Sequence, residues 1–183
     1  MAAETFYAEQ RFSRQRSAAE RHTAPTERAR FEQILNRHHP KLRRVVAGVI
    51  ADPDRVEDVL QEAYLKAFRR LPVQFANEAH EATWLYRVVY RCCLDELRRR
   101  RRSRESPAAE PRAVGGAGED ATGRLAVEEA FLALTPDDRA VLLLVGVVGL
   151  DYETAAAILQ IPRGTLAWRL SEARGRFREA LSS

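Results

Sequence analysis

The sequence predicts an all-α fold, and three observations support that prediction. Apolar residues recur at spacings of three and four along most of the chain, which is the period of a helix. No run alternates apolar and polar residues between turn signals, as strands joined by hairpins would. Residues 103–123 are rich in proline and glycine and separate two helical segments. We therefore expect two small helical domains joined by a flexible linker, the C-terminal one a helix-turn-helix.

Composition limits the class of protein. With 183 residues, 45% apolar and 31% charged, and a net charge of +4, the chain has globular proportions. The longest apolar run is about half of the roughly 20 residues that span a bilayer. Cys92 and Cys93 suit neither a disulfide framework nor a zinc site. We expect a cytoplasmic protein without a metal, a cofactor or membrane insertion.

Three helices are predicted in the first segment. The first runs over 31–49, with a break or bend near Pro40, which lacks an amide hydrogen. The second, over 55–71, follows the start signal Asp52-Pro53-Asp54. The third runs from near Ala82 to Arg101 and ends in an arginine run that suits the helix dipole. We expect Cys92 and Cys93 to be small core residues of this helix, with a partly exposed thiol as the alternative for Cys93.

Four helices are predicted in the second segment. One covers 125–134, and Thr135-Pro136 then provides an N-cap and a first-turn proline for the next helix, which ends at Gly149. Asp151 caps a short helix that ends at Leu159. A tight turn and a long final helix follow, and this arrangement is typical of a helix-turn-helix.

The final helix has a candidate DNA-reading face. Opposite its apolar face lie Thr165, Trp168, Arg169, Glu172 and Arg176, and Arg163 precedes them. In a recognition helix, arginine reads guanine and threonine contacts a thymine methyl or a phosphate. The alternative interpretation is an ordinary solvated helix face, and spacing alone does not decide between the two.

Basic charge is concentrated in residues 31–104, which hold sixteen basic and ten acidic side chains, whereas 124–183 has no positive surplus. The arginine run at 98–102 indicates a polyanionic partner, because phosphates would relieve its self-repulsion. Upstream, aromatic and basic side chains offer stacking faces and cations for single-stranded bases: Trp84, Tyr86, Arg87, Tyr90 and Arg91. The alternatives are a solvated helix end for the arginines and a core position for Trp84.

A polar patch interrupts this basic domain. Asp58, Gln61 and Glu62 share one face of the second helix, which favours a basic protein surface as partner. The alternative is intrahelical pairing of Glu62 with Lys66. The four histidines have no carboxylate or nucleophile at a telling spacing, so we expect no catalytic or metal site.

These segments resemble the extracytoplasmic-function group of bacterial RNA polymerase sigma factors. Residues 56–68 are similar to the family's polymerase-binding helix, 83–100 to the helix that melts and captures the minus-ten element, and 134–166 to the domain that reads the minus-thirty-five element. The resemblance implies four parts: an N-terminal extension (1–28), a region 2 domain (29–104), a linker (105–123) and a region 4 helix-turn-helix domain (124–183).

The resemblance also implies function and site residues. The chain would bind core RNA polymerase, direct it to promoters and promote melting, without being an enzyme. Polymerase binding would use Asp58, Gln61, Glu62 and Leu65. Binding of duplex and melted promoter DNA would use Trp84, Arg87, Tyr90, Arg91, Arg98, Arg99, Arg101, Arg102, Arg163, Thr165, Trp168, Arg169 and Arg176. Family members are often held inactive by an anti-sigma factor, and no residue here identifies one.

Departures from the family's pattern concern DNA reading. Ala167, Trp168 and Glu172 replace residues that contact phosphates and bases, so we expect minus-thirty-five recognition to be weak or of unusual sequence. Gln160 replaces the usual turn glycine, which requires a non-glycine residue to accept that geometry or the turn to shift. Two other classes stay open: a two-domain helix-turn-helix regulator acting without polymerase, and an interaction protein whose Trp168 helix docks a protein.

Overall fold

The computed structural model describes residues 28–70, 75, 77–104 and 121–182. These residues form seven α-helices and no strand: α1 (28–50), α2 (Val56–Phe68), α3 (Glu78–Arg104), α4 (Ala121–Leu132), α5 (Pro136–Leu142), α6 (Tyr152–Leu159) and α7 (Arg163–Leu181).

 The all-α prediction is confirmed. None of these helices is long and apolar enough to cross a membrane. The predicted extension, up to residue 27, and linker residues 105–120 lie outside the described residues.

The first helix passes through Pro40 without interruption, so this proline does not break it. An interior proline costs about 3 kcal/mol, because it removes one backbone hydrogen bond and crowds the preceding turn. Apolar side chains on both sides of Pro40 are buried in the same core, among them Ile34, Leu42 and Val46. Burial on both sides stabilises the continuous helix against that cost.

Helices α2 and α3 pack against each other and against α1. The α2 side chains Val56, Val59 and Leu60 are buried, as the apolar spacing predicts. Cys92 and Cys93 of α3 are buried, which confirms their predicted core positions and contradicts the alternative of a partly exposed Cys93 thiol. Burial raises the pKa of the Cys93 thiol. Helix α3 begins earlier than predicted, because the Asn77 side chain accepts a hydrogen bond from the His80 amide at 2.9 Å.

The predicted caps of the second segment are confirmed. Thr135 accepts from the amide of Asp138 at 3.2 Å, and Asp151 accepts from the amide of Thr154 at 2.8 Å. Helix α5 continues into a π-helical turn, Leu143–Val147. Gln160 ends α6 in the left-handed conformation, with φ 58° and ψ 42°, so a glutamine accepts the geometry that glycine usually supplies.

The two segments bury one continuous apolar cluster. It includes Val46 and Val49 of α1, Val89 of α3, and Leu143 and Leu144 after α5. In this structure the helices on either side of the predicted linker therefore lie in contact.

Candidate polymerase-binding and nucleic-acid-binding surfaces

The four residues predicted to bind polymerase share one side of α2. Asp58, Gln61 and Leu65 are exposed, and Glu62 is half-buried. Leu65 keeps 56% of its surface accessible. Positions separated by three, four and seven residues lie along one helical face. The structure thus brings these side chains together on the surface.

Both acids of this patch form ion pairs with basic residues of the same helix or the turn before it. Asp58 accepts from Arg55 at 2.8 Å, and Lys66 lies 2.9 Å from Glu62. The hydrogen bond from Lys66 lowers the pKa of Glu62, so the carboxylate is charged at neutral pH. The predicted intrahelical pair is present, and Arg99 of α3 also lies 3.6 Å from Glu62, which stays half-exposed.

An apolar groove of about 500 Å³ runs beside the patch, between α1 and α2. Phe31 and Phe68 lie on it with ring centroids 5.8 Å apart, and Leu35, Tyr64 and Leu65 complete its apolar lining. Phe68 also lies on this side of α2, and the structure leaves 46% of it exposed. The sequence does contain a signal for this groove. Leu65 and Phe68 follow Gln61 at spacings of four and three, so two apolar side chains lie on the same side of α2 as the polar patch.

The aromatic and basic cluster of α3 divides between surface and interior. Trp84 is half-buried, with its ring 5.3 Å from that of Phe75, and Arg87 is also half-buried. The Nε of Arg87 is buried and has no hydrogen-bond partner in the described part of the chain. Tyr90 is only 7% exposed. Arg91 is the one side chain of this cluster that is fully exposed.

Asp137 of α5 contacts two residues that we expected to face DNA. The Tyr90 hydroxyl donates to its Oδ1 at 3.3 Å, and Arg169 donates to its Oδ2 at 3.4 Å. Burial and the Asp137 carboxylate raise the pKa of the Tyr90 phenol. Arg91 also reaches the second segment, where it donates to Oε1 of Gln160 at 3.0 Å.

Much of the arginine run at the end of α3 is paired inside the protein. Glu96, 2% exposed, accepts from Arg55 at 3.0 Å, from Arg100 at 3.3 Å and from Arg99. Burial would raise the pKa of Glu96, but the hydrogen bonds from Arg55 and Arg100, together with the positive charges of Arg55 and Arg99, outweigh it, and the pKa lies below its ordinary value. Self-repulsion of the arginines is therefore partly relieved by carboxylates.

The outward arginines remain as candidates for binding phosphate. Arg98 is exposed and paired with Asp95 at 3.2 Å. Arg99 is half-exposed and reaches both Glu96 and Glu62. Arg101 and Arg102 are exposed and form no ion pair within the helices that the structure describes.

The recognition helix α7 presents fewer free side chains than its spacing predicts. Arg163 and Trp168 are exposed, the latter to 60%, whereas Thr165 is half-buried. Arg169 is held by Asp137. Arg176 donates to the buried carboxylate of Asp138 at 2.7 Å and to Glu172 at 3.5 Å, so it also stabilises the packing of α7 on α5.

Comparison with known proteins decides the family. Residues 34–103 match Sigma-70 region 2, and residues 124–177 match Sigma-70 region 4. The chain belongs to the sigma-70 family. Region 2 of this sigma factor thus holds α2 and most of α1 and α3, and region 4 holds α5, α6 and most of α4 and α7.

Relatives place the sigma factor in the extracytoplasmic-function group. It is 30% identical over 155 residues to the ECF RNA polymerase sigma factor SigM of Mycobacterium tuberculosis, covering 85% of this chain and 79% of SigM. It is 29% identical over 161 residues to the ECF RNA polymerase sigma-E factor of Escherichia coli, covering 79% of this chain and 82% of that protein.

Solved structures agree on the fold. The sigma factor RpoE from Bartonella quintana, in complex with the anti-sigma factor NepR, matches with a TM-score of 0.64 and 27% identity, over 83% of this chain and 96% of that one. CnrH, in complex with the cytosolic domain of CnrY, matches with a TM-score of 0.62 and 22% identity, over 87% of this chain and 92% of that one. The second likeness concerns the fold alone.

Proposed function

We propose that this sigma factor binds core RNA polymerase through the exposed side of α2, directs it to specific promoters and promotes promoter melting. The observation that supports this proposal best is the surface formed by Asp58, Gln61, Glu62 and Leu65 beside the apolar groove. Charged and amide groups next to an apolar groove suit a basic, amphipathic helical partner. This surface lies within the part of the chain that matches region 2.

Promoter contacts are assigned to α3 and α7. Trp84 and Arg87 offer a ring and a cation for unstacked bases, and Arg98, Arg101 and Arg102 suit phosphates of the melted strand. In region 4, Arg163 and Trp168 are exposed in the N-terminal part of α7. The N-terminal residues of a recognition helix are the ones that contact base edges. No catalytic residue is needed, because capture of flipped bases stabilises the melted state.

Geometry set by polymerase would supply affinity. Each region alone makes few DNA contacts, but once polymerase fixes their separation the second promoter contact becomes intramolecular. We also propose that an anti-sigma factor regulates this chain, since the similar Bartonella sigma factor was solved in complex with one. The alternative of a regulator acting without polymerase is not favoured, because residues 34–103 match Sigma-70 region 2.

The polymerase assignment is tested by charge reversal on α2. We expect the double variant Asp58→Lys, Glu62→Lys to lose binding to core RNA polymerase, because it places cations where the partner surface is expected to be basic. Glu129→Lys, an exposed acid of α4, is the matched control. Equal polymerase binding by the wild type, the double variant and the control would remove α2 as the docking surface.

A further inference from the structure

The apolar groove between α1 and α2 lies where the described part of the chain begins. One wall is formed by side chains at the start of α1, and Arg28, the first described residue, is among them. The other wall belongs to α2. The residues that precede Arg28 in sequence are therefore joined to the fold at the rim of this groove.

The groove presents apolar surface to an occupant. Its volume is about 500 Å³, and Leu65 and Phe68 on its α2 wall keep 56% and 46% of their surfaces accessible. Aromatic side chains that covered these two residues would remove apolar surface from water, which is favourable. The groove thus suits a segment with aromatic residues.

The polar side of the groove is acidic. Asp58 and Glu62 lie along the same side of α2, and their side chains keep 60% and 36% of their surfaces accessible. Both are paired, with Arg55 at 2.8 Å and Lys66 at 2.9 Å. Exposed ion pairs of this kind contribute little, so arginines of another segment can add to them or replace them. An occupant that carries both aromatic rings and arginines matches this surface.

This chain contains such a segment before α1. Residues 6–16 read Phe-Tyr-Ala-Glu-Gln-Arg-Phe-Ser-Arg-Gln-Arg. The segment holds three aromatic side chains and three cations: Phe6, Tyr7, Phe12, Arg11, Arg14 and Arg16. Residues 17–27 hold no Phe, Tyr, Trp, Leu, Ile, Val or Met. The large apolar side chains of this part of the sequence are therefore concentrated in one basic segment.

The length of the chain allows this segment to reach the groove. Phe12 precedes Arg28 by sixteen residues, which span at most about 55 Å when fully extended. Because Arg28 itself lines the groove, this length exceeds what a return to it requires. A tethered segment also has an effective concentration of about a millimolar, so weak contacts are enough for it to bind.

We propose that residues 6–16 occupy the apolar groove in the free chain, with aromatic rings against Leu65 and Phe68 and arginines beside Asp58 and Glu62, and thereby compete with core RNA polymerase. The competition rests on the proposed function, since it assumes that polymerase binds this side of α2. Polymerase would bind only chains whose groove is free, so its apparent affinity is reduced by that free fraction.

Photochemical cross-linking tests where the segment binds. In the full-length chain, Phe12 is replaced with the photoreactive analogue p-benzoylphenylalanine, and cross-linked peptides are identified by mass spectrometry. We expect cross-links within one chain to the groove residues of α1 and α2, weakened by Leu65→Asp and retained in the matched control Val127→Asp on α4. Cross-links to other elements, or between two chains, would overturn the proposal; the latter would assign the groove to a second copy.

A peptide measures how often the groove is filled. The triple variant Phe6→Ser, Tyr7→Ser, Phe12→Ser removes the aromatic side chains of the segment without changing its charge. The control triple variant Ala18→Ser, Ala19→Ser, Ala24→Ser changes three apolar residues outside it. Fluorescence anisotropy follows binding of a labelled peptide of residues 4–16 to each full-length chain. If the groove is free in about a tenth of wild-type molecules, the aromatic triple variant should bind the peptide about tenfold more tightly.

The same variants are then titrated with core RNA polymerase, and far-UV circular dichroism checks that each is folded. We expect the aromatic triple variant to gain affinity for polymerase by a factor similar to its gain for the peptide, with the control matching the wild type. Equal peptide affinity in all three chains, or a peptide gain without a polymerase gain, would overturn the proposal. Groove cross-links and a peptide gain, but no polymerase binding by any chain, would refute the proposed function and support the groove as the site of the segment.

Discussion

Arg139 of α5, in region 4, donates a hydrogen bond to the backbone oxygen of Val49 in region 2, ninety residues earlier in the chain. Two carbonyls of region 4, those of Leu132 and Leu134, accept from its Nη1, whereas its buried Nε has no hydrogen-bond partner among the described residues. Burial lowers the pKa of Arg139 from its ordinary value, although the side chain remains a cation at neutral pH. This residue therefore links the stability of region 4 to its contact with region 2.

Arg139→Met tests that link. Methionine fills similar volume, so the variant removes hydrogen bonds rather than packing, and three carbonyl oxygens lose their donor. We expect the free energy of unfolding to fall by about 2–4 kcal/mol in urea denaturation. Arg163→Met, at an exposed site, should change it by less than about 0.5 kcal/mol. If Arg139→Met also lowered the free energy of unfolding by less than about 0.5 kcal/mol, the hydrogen bonds of Arg139 would not stabilise the fold.

The lowered pKa of Glu96 makes the free energy of unfolding depend on pH in the acid range. Its pKa is lower in the folded chain than the ordinary value of 4.5, so the unfolded chain binds more protons in the acid range. The stabilisation is present above pH 4.5 and is lost as the pH falls through the folded pKa. Glu96→Gln should flatten this acid dependence of the free energy of unfolding, measured by denaturation at several pH values.

The control for this pH series is Glu129→Gln, which removes an exposed carboxylate of α4. It should keep the wild-type dependence. An unchanged acid dependence in Glu96→Gln would mean that the ion pairs with Arg55 and Arg100 do not contribute to it.

Replacement of Trp168 should weaken DNA binding without lowering the stability of the fold. Its side chain is 60% exposed, so Trp168→Ala should change the free energy of unfolding by less than about 0.5 kcal/mol. Because the Trp168 ring is expected to contact a base edge or a thymine methyl, Trp168→Ala should bind promoter duplex DNA more weakly, by about 1 kcal/mol or more. Leu125→Ala, another exposed apolar residue, is the control. Equal duplex affinity in both variants would remove Trp168 from the DNA interface.

Leu65 tests the apolar part of the α2 surface. It is 56% exposed beside the groove, so Leu65→Asp should leave folding intact. A carboxylate at the centre of an apolar contact should weaken binding to core RNA polymerase by about tenfold or more, measured by a titration with labelled protein. Val127→Asp, an exposed site on α4, should bind as the wild type does. Unimpaired binding by Leu65→Asp would place the polymerase contact elsewhere.

Local signals predicted most of the fold. The N-caps Thr135 and Asp151, the apolar stripe of α2 and the turn at Gln160 follow from residues close together in the chain, where backbone hydrogen bonding and helical period decide the structure. Pro40 was the exception, because burial on both sides outweighs its local cost.

The candidate sites were only partly predictable. The exposed side of α2 follows from spacing, but the partners of Tyr90, Arg169 and Arg176 lie thirty or more residues away in sequence. No periodic pattern indicates that two acids of α5, Asp137 and Asp138, face them. Charge runs show how many cations a segment holds, whereas tertiary packing decides which of them carboxylates already bind.

The central claim is tested most directly by transcription with purified components. Core RNA polymerase from the source organism is combined with the full chain and a promoter library, and transcript start sites are sequenced. The account predicts discrete start sites that share upstream sequence elements, present with the wild type and absent with the folded double variant Asp58→Lys, Glu62→Lys. A folded wild-type chain that yields no start sites beyond those of core polymerase alone would contradict it.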